Sequence, residues 1–287
     1  MISHWLLAAR IKTLPVSLCP VLLSLSLSSK LDSYNNFISL VIIMCVLFIQ
    51  IGTNFANDYY DFIKGADGND RLGPQRMTQG GHVSPDIMKY AAFFCFLMAF
   101  VFGLFLVYHG GFQILIIGVL AIFFGLIYTA GPFALAYKGG AEIISYLFFG
   151  PISVMGTYYL QSLTWNWDLL YIGSGIGLIS AAILVVNNTR DMASDAKANK
   201  RTWAVRFGKT FSYIEYIFFL YTPIFLLDLK TYDSAIQMVL ILFLVFIAML
   251  LTRRFGKCKG SDFNTLLGLT SGYLLLYTLV SSYLLTI

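Results

Sequence analysis

The chain has 287 residues, 58% of them hydrophobic and only 11% charged, with a mean hydropathy of +0.77 and a formal net charge of +5. A soluble domain carries about 25% charged residues, so this composition excludes a water-soluble globule and indicates an integral membrane protein. Four cysteines without a CxxC pair, and the isolated His4, His82 and His109, argue against a disulfide framework and against zinc.

A membrane helix needs roughly 20 apolar residues. Segments of that kind are predicted at 14–31, 37–56, 89–108, 112–131, 141–161, 168–188, 211–229, 235–252 and 263–286. The expected fold is therefore all-α, a single polytopic membrane domain over 1–287 with nine transmembrane helices. The opening MISHWLLAARIKTLPVSLCPVLL sets Arg10 and Lys12 before an apolar run, as a signal peptide would. It lacks a clear small-residue cleavage pattern and more spans follow, so it reads as an uncleaved first helix. Pro15 and Pro20 predict a kink or a non-helical lead-in there.

The second span runs into TNFANDYYDFIKG, residues 53–65, where carboxylates adjoin hydrocarbon. Such carboxylates are costly unless a cation holds them. In the connection that follows, Asp67 and Asp70 of GADGNDRLGP read as turn residues. Before the fifth span, KGGAE supplies Lys138 and then Glu142. That glutamate is either a helix-start carboxylate favoured by the dipole or a polar group facing substrate. The sixth span ends in NNTRDMASDAKAN, residues 187–199. The last three spans carry no motif, and the cluster Arg253, Arg254, Lys257 and Lys259 reads as a topology determinant.

Numbering the connections alternately puts every Lys and Arg except Lys30 and Lys230 on one side. By the positive-inside rule that side is cytoplasmic, with the N-terminus inside and the C-terminus outside. Both long connections, about 57–88 and 189–210, share this face.

The two acidic segments match each other. Asn57 aligns with Asn187 and Asp61 with Asp191, a weak parallel repeat. Spacing of four puts residues on one helical face, so Asn187, Asp191, Asp195 and Asn199 would line up over about three turns. Asn54 and Asp58 form one such pair on the first segment, and Asn57 and Asp61 another. Like charges at this spacing repel, which predicts a cation in the gap. Oxygen-only ligands favour Mg²⁺ or Ca²⁺ over zinc. Mg²⁺ is typically held by one or two carboxylates plus substrate phosphates. Asp58, Asp61, Asp191 and Asp195 are thus the predicted metal and catalytic carboxylates. Lys64, Arg71, Arg76, Lys138, Lys200 and Arg206 lie on the same face and would offset a bound diphosphate, Arg as a fork and Lys as a point charge. Polar helix ends at a membrane surface are often only caps. Two matched signatures with basic neighbours outweigh that reading.

Four stretches carry a family likeness: WLLAARIKTLPVSLCPVLL, NDYYDFIKGADGNDRLGPQR, YKGGAEI with FFGPISVMGTYYLQ, and VNNTRDMASDAKANKRTWAVRFG. Together they resemble the UbiA-type intramembrane aromatic prenyltransferases, a nine-helix family whose NDxxDxxxD and DxxxD-type motifs bind diphosphate through Mg²⁺. Within that family the chain looks most like the branch acting on 1,4-dihydroxy-2-naphthoate in menaquinone synthesis. Gly65 stands where the first motif often has a third Asp, and Asp67 lies two residues on. The resemblance implies that Asp58, Asp61, Asp191 and Asp195 hold Mg²⁺ against a polyprenyl diphosphate. Asn57 and Asn187 would orient the diphosphate, with Asn54 and Glu142 in the substrate-binding set. Arg71, Arg76, Lys138, Lys200 and Arg206 would neutralise the leaving group. Tyr59, Tyr60, Tyr128 and Tyr146 are placed to shield an allylic cation. The aromatic ring then attacks, losing its carboxylate as CO₂. Arg10 and Lys12 would attract the acid, a role that topology explains equally well. The expected partners are these two substrates and the lipid bilayer of the cell inner membrane, with no nucleic acid. A competing acceptor is 4-hydroxybenzoate or another phenolic acid. A competing class is a membrane transporter, which would place ionisable groups near mid-membrane, whereas here they cluster at one edge.

Overall fold

A computed structural model describes residues 2–65, 72–74, 76–128, 134–227 and 234–286, and every regular element among them is helical. In chain order these are α1 (Ile2–Ala9), a 3₁₀ turn (Ile11–Thr13), α2 (Leu14–Ser28), α3 (Asn36–Ile63), α4 (Pro85–Gly110), α5 (Phe112–Ile127) and α6 (Leu135–Lys138). Then follow α7 (Ala141–Phe148), α8 (Pro151–Ser162), α9 (Leu169–Lys197), α10 (Trp203–Leu226), α11 (Ala235–Lys257) and α12 (Asp262–Thr286).

Among the described residues, seven helical segments are long and apolar enough to cross a membrane, against the nine expected. The two that fall short have physical reasons. α5 has 16 residues, about 24 Å at 1.5 Å per residue, under the ~30 Å hydrocarbon core. α10 carries Lys209 and Glu215 and is kinked at Gly208, whose φ is 80°.

The first span is broken as its prolines suggest. α1 ends at Arg10, which has a left-handed backbone (φ 52°, ψ 59°), and α2 restarts with Pro15 in its first turn. The fifth expected span is split into α7 and α8 at Gly150, with Pro151 opening α8. This break seats directly on α9. A Cβ on Gly150 would lie 2.6 Å from the Gly173 carbonyl oxygen, and one on Gly177 would lie 2.4 Å from that of Tyr146. Small residues four apart allow such backbone approach in membrane bundles.

α9 is the central strut. In its most apolar stretch 67% of residues are buried, against 22% in the peripheral α11. The largest core joins α2, α9, α10, α11 and α12 through residues such as Leu23, Ile176, Ile179, Tyr216, Leu244 and Leu274. A second core joins α1, α3, α4 and the segment after α3 through Phe55, Met77, Val83 and Met88. Phe93, Phe94, Phe100 and Leu104 of α4 face outward, as lipid-exposed residues do. Each acidic-motif helix packs along the helix that leads away from it, α3 on α4 and α9 on α10. The Lys30 ammonium donates to the Thr286 carbonyl, so the ends of α2 and α12 meet at one face. The C-terminal ends of α3 and α9 meet at the other.

Candidate active site

Both acidic segments are helical, because α3 and α9 each run several residues past the expected end of the apolar span. α3 stops at Gly65, whose φ of 63° is the left-handed C-terminal position that glycine favours. The position of the family's third Asp is thus a helix terminator here. α9 ends at Lys197, and Asn199 beyond it has φ 56°. The expected four-rung ladder therefore loses Asn199, and its rungs are Asn187, Asp191 and Asp195.

Asp61 is the hub. Its Oδ2 accepts from Arg76 Nη2 at 2.5 Å, and both side chains are buried. Its Oδ1 accepts from Lys200 Nζ at 3.3 Å and from the Tyr137 hydroxyl at 3.4 Å. Lys200 also lies 3.9 Å from Asp195 Oδ1, so one ammonium links a carboxylate on α3 to one on α9. The two rungs consequently face each other. Beneath them, the Tyr137 ring lies under the ammonium groups of Lys64 (4.4 Å) and Lys200 (4.9 Å). Desolvation lowers the Lys64 pKa from its usual value, with the Asp61 carboxylate opposing that shift and the Lys200 charge reinforcing it. On α9, Arg190 grips Asp191 with Nε and Nη2 at 2.8 and 2.6 Å, and Nη2 also donates to Asn187 Oδ1 at 2.8 Å. Its Nη1 reaches Asn264 Oδ1, and Asn264 holds the Leu72 carbonyl. That chain of bonds ties the segment after α3 to α12.

Asp58 departs from the expected metal set. Its two oxygens accept the backbone N–H groups of Met77 and Thr78, each at 3.0 Å. One residue's turn around the helix from Asn57 points it into the loop that carries Arg76, and it holds that loop down. Asn54 likewise faces protein, donating to the Ala9 carbonyl at 2.9 Å and lying 3.5 Å from Thr13 Oγ1. Arg206 is exposed and donates to the carbonyls of Arg201 and Lys138, so it clips two loops together instead of meeting the carboxylates. Lys138 is exposed beside it. Glu142 is buried on α7, where Oε1 accepts from Asn188 at 2.7 Å and Oε2 has no hydrogen-bond partner among the described residues. Of the four candidate tyrosines, Tyr128 lines the cavity described below, Tyr146 bonds Ser174, and Tyr59 and Tyr60 pack against the α1–α3–α4 core. Arg71 and Asp67 lie outside the described residues. The sequence reading overlooked Tyr137 and Arg190, although Arg190 sits inside the second motif beside Asp191.

A cavity of about 340 Å³ opens from this region into the bundle. Asn57 and Asn187 line its polar end, and Ile42, Leu106, Ile114 and Leu160 its far end. From Asn57 back to Ile42 along α3 is about 22 Å at 1.5 Å per residue. Phe100 and Leu104 of α4 and Val119 of α5 line it and are accessible, so these two helices form its side wall.

The donor set suits a hard divalent cation that shares its shell with phosphate. All candidate ligands are oxygens of Asn57, Asp61, Asn187, Asp191 and Asp195. Among the described residues no three His, Cys, Asp or Glu side chains form a cage of their own. Mg²⁺ needs only one or two carboxylates when phosphate oxygens complete the shell, and two short carboxylate rungs meet that need.

The UbiA prenyltransferase family model matches residues 17–281. The chain is 34% identical over 215 residues to 1,4-dihydroxy-2-naphthoate octaprenyltransferase of Haemophilus influenzae, covering 72% of this chain and 70% of that one. It is 35% identical over 213 residues to the Escherichia coli protein of the same name, covering 71% and 68%. It is also 31% identical to zebrafish (Danio rerio) UbiA prenyltransferase domain-containing protein 1 over 93% of this chain and 82% of that one. In fold it is similar to a UbiA homolog from Archaeoglobus fulgidus bound to GPP and Mg²⁺, with a TM-score of 0.69 at 12% identity over 99% and 100% of the two chains. A UbiA homolog from Archaeoglobus fulgidus bound to Cd²⁺ is similar in fold too, with a TM-score of 0.64 at 12% identity over 99% and 100% of the two chains. A multi-helix membrane bundle with two facing acidic helix ends, matched by the family model over nearly its whole length, belongs to the UbiA prenyltransferase family.

Proposed function

We propose that this prenyltransferase moves a polyprenyl group from a polyprenyl diphosphate to 1,4-dihydroxy-2-naphthoate, with loss of CO₂, to give a demethylmenaquinol. The observation that carries the reading is the joining of two features. Asp61 and Asp195 face each other across one ammonium, at the polar end of a long apolar cavity. The first suits a diphosphate head and the second an isoprenoid tail. The choice of naphthoate is supported by the names of the relatives at 34–35% identity.

In this reading Asn57, Asp61, Asn187, Asp191 and Asp195 hold the diphosphate through Mg²⁺, which supplies charge neutralisation at the departing oxygens when bound. Arg76, Lys200 and Arg190, each already on a carboxylate, stand ready to take up charge that develops on the leaving group. The C1–O bond of the allylic diphosphate breaks and its electron pair leaves with the diphosphate. A ring carbon of the naphthoate forms the new C–C bond. The ring–carboxylate bond breaks, its electrons restore the aromatic ring, and CO₂ departs. The apolar walls exclude water from the allylic cation, and the Tyr128 ring at the polar end offers it a π face. The asymmetry of Lys and Arg supports a cytoplasmic face of the inner membrane as the location of this chemistry. The tail passes between α4 and α5 into lipid.

Purified protein given labelled polyprenyl diphosphate, Mg²⁺ and either acid tests the proposal, with the product identified by mass spectrometry. Prenylated, decarboxylated naphthol is expected, abolished by EDTA and restored by Mg²⁺. Product from 4-hydroxybenzoate alone removes the naphthoate assignment. Transport without any Mg²⁺-dependent product removes the enzyme.

A further inference from the structure

We propose that Asn264, in the first turn of α12, is a positioning residue for prenyl transfer. It sets the plane of the Arg190 guanidinium and ties the segment after α3 down beside the acidic rungs. This rests on the reading that the two rungs hold the diphosphate. The Asn264 amide uses both of its ends. Its Oδ1 accepts from Arg190 Nη1 at 2.9 Å, and its Nδ2 donates to the Leu72 carbonyl at 2.8 Å. These partners lie 74 and 192 positions away in the chain. A polar residue at a helix start is ordinarily a cap, yet neither contact caps α12. The turn before the helix is closed instead by Asp262, whose Oδ2 accepts from the Lys259 N–H at 3.2 Å. The last three spans, which carry no motif, thus reach the site through this residue.

Arg190 is the first arm of this tie. Its side chain is buried, so protein partners and not water fix its orientation. Nε and Nη2 grip Asp191, Nη2 also reaches Asn187 Oδ1, and Nη1 goes to Asn264. A guanidinium is planar, so a partner on Nη1 fixes the other two nitrogens, and through them the oxygens of Asp191 and Asn187. Asn264 stands on a firm base. Phe263 and Leu266 are buried in the largest core, where the Phe263 ring meets Phe255 edge-on with centroids 5.4 Å apart. Leu267, three residues on, lines the cavity. Leu72 is the second arm, in the segment that goes on to Arg76, Met77 and Thr78. Arg76 is on Asp61, and the Met77 and Thr78 N–H groups are on Asp58. One amide therefore bears on α9 through Arg190 and on the partners of α3 through Leu72. Two rungs that share one diphosphate must keep their separation, because a misplacement of about 1 Å costs on the order of 100-fold in rate.

Asn264→Leu removes both contacts at nearly constant volume. Its KM for prenyl diphosphate rises about ten-fold while the acceptor KM stays within about two-fold. Asn264→Asp keeps an acceptor for Arg190 and loses only the donor to Leu72, so its KM for prenyl diphosphate rises less. Trypsin cleavage after Arg76, followed by mass spectrometry on purified protein without substrates, is about ten-fold faster in both variants, because the released segment opens more often. If Asn264→Leu does not fold, the Asp variant carries the same two readouts. Thr270→Val is the structural control. It removes the Tyr216–Thr270 hydrogen bond further along α12 and lowers Tm, leaving both KM values and the cleavage rate within about two-fold. An unchanged prenyl diphosphate KM in Asn264→Leu overturns the inference. So does unchanged cleavage in both variants, a loss that falls equally on both substrates, or the same pattern from Thr270→Val. Each of those results leaves the placement of the diphosphate standing. If Asp61→Ala and Asp191→Ala turn over normally, that placement falls and this inference with it.

Discussion

Asp58→Asn separates a loop anchor from a metal ligand. In the wild type, both carboxylate oxygens receive backbone N–H groups, from Met77 and Thr78 at 3.0 Å each. Asp58, Met77 and Thr78 are only 2–3% exposed, so water does not readily replace a lost partner. A hydrogen bond to a charged group contributes about 1.5–3 kcal/mol, and stranding a buried donor costs about 1–3 kcal/mol. An asparagine keeps one acceptor oxygen and turns its NH₂ toward the other N–H, setting donor against donor. The expected loss is about 2–3 kcal/mol, and for Asp58→Ala, which strands both donors, about 3–6 kcal/mol. For a chain of this size each kcal/mol moves Tm by roughly 2–4 °C, so Asp58→Asn melts about 5–10 °C lower. A thiol-reactive dye reads this in detergent, because Cys19, Cys95 and Cys258 are buried and Cys45 is half-buried until unfolding. The same preparation is titrated with Mg²⁺ in the prenyl-transfer assay. A lowered Tm with an unchanged half-saturating Mg²⁺ concentration is expected. An unchanged Tm with a several-fold higher Mg²⁺ requirement would refute the reasoning and return Asp58 to the metal.

Asp61→Ala and Asp191→Ala each lower turnover at least about a hundred-fold, the scale of a lost transition-state electrostatic partner, while membrane insertion is retained. Near-normal turnover by either, measured with labelled prenyl diphosphate, takes that residue out of the site. Lys200→Met removes the ammonium that links Asp61 to Asp195 and raises the KM for prenyl diphosphate about ten-fold. A rise confined to the acceptor KM contradicts that role. Gly177→Ala drives a methyl to 2.4 Å from the Tyr146 carbonyl, an overpacking that costs about 1–3 kcal/mol. A thermal-shift measurement showing no loss contradicts the close seating of α7 on α9.

The accuracy of the sequence reading varied with the range of the forces involved. Hydrophobic runs are local, so the positions of the helical segments were legible almost throughout. The proline-marked lead-in near Arg10 was too. The break at Gly150 was not foreseen: Gly-Pro marks it locally, but its seat, the pair Gly173 and Gly177, lies on another helix. Of the nine expected spans, seven are long and apolar enough among the described residues, while α5 is shorter and α10 more charged than hydropathy averages alone convey. The periodicity of the motifs brought Asp61, Asp191 and Asp195 to helix ends. It also set Asp58 and Asn199 beside them. Asp58 lies a residue around the helix from Asn57 and finds loop amides, and Asn199 falls past the helix terminus.

What the sequence determined by itself was a membrane-embedded helical chain with two acidic segments at one face, because composition and three-to-four-residue periodicity are properties of the chain alone. Which partner each polar group meets was decided only by tertiary packing. Tyr137 beneath the ammonium groups of Lys64 and Lys200, and Arg190 reaching Asn264, both arise when segments far apart in the chain come together. Electrostatic and hydrogen-bond energies depend on distances of a few ångströms between such groups, and those distances are set by how the helices pack.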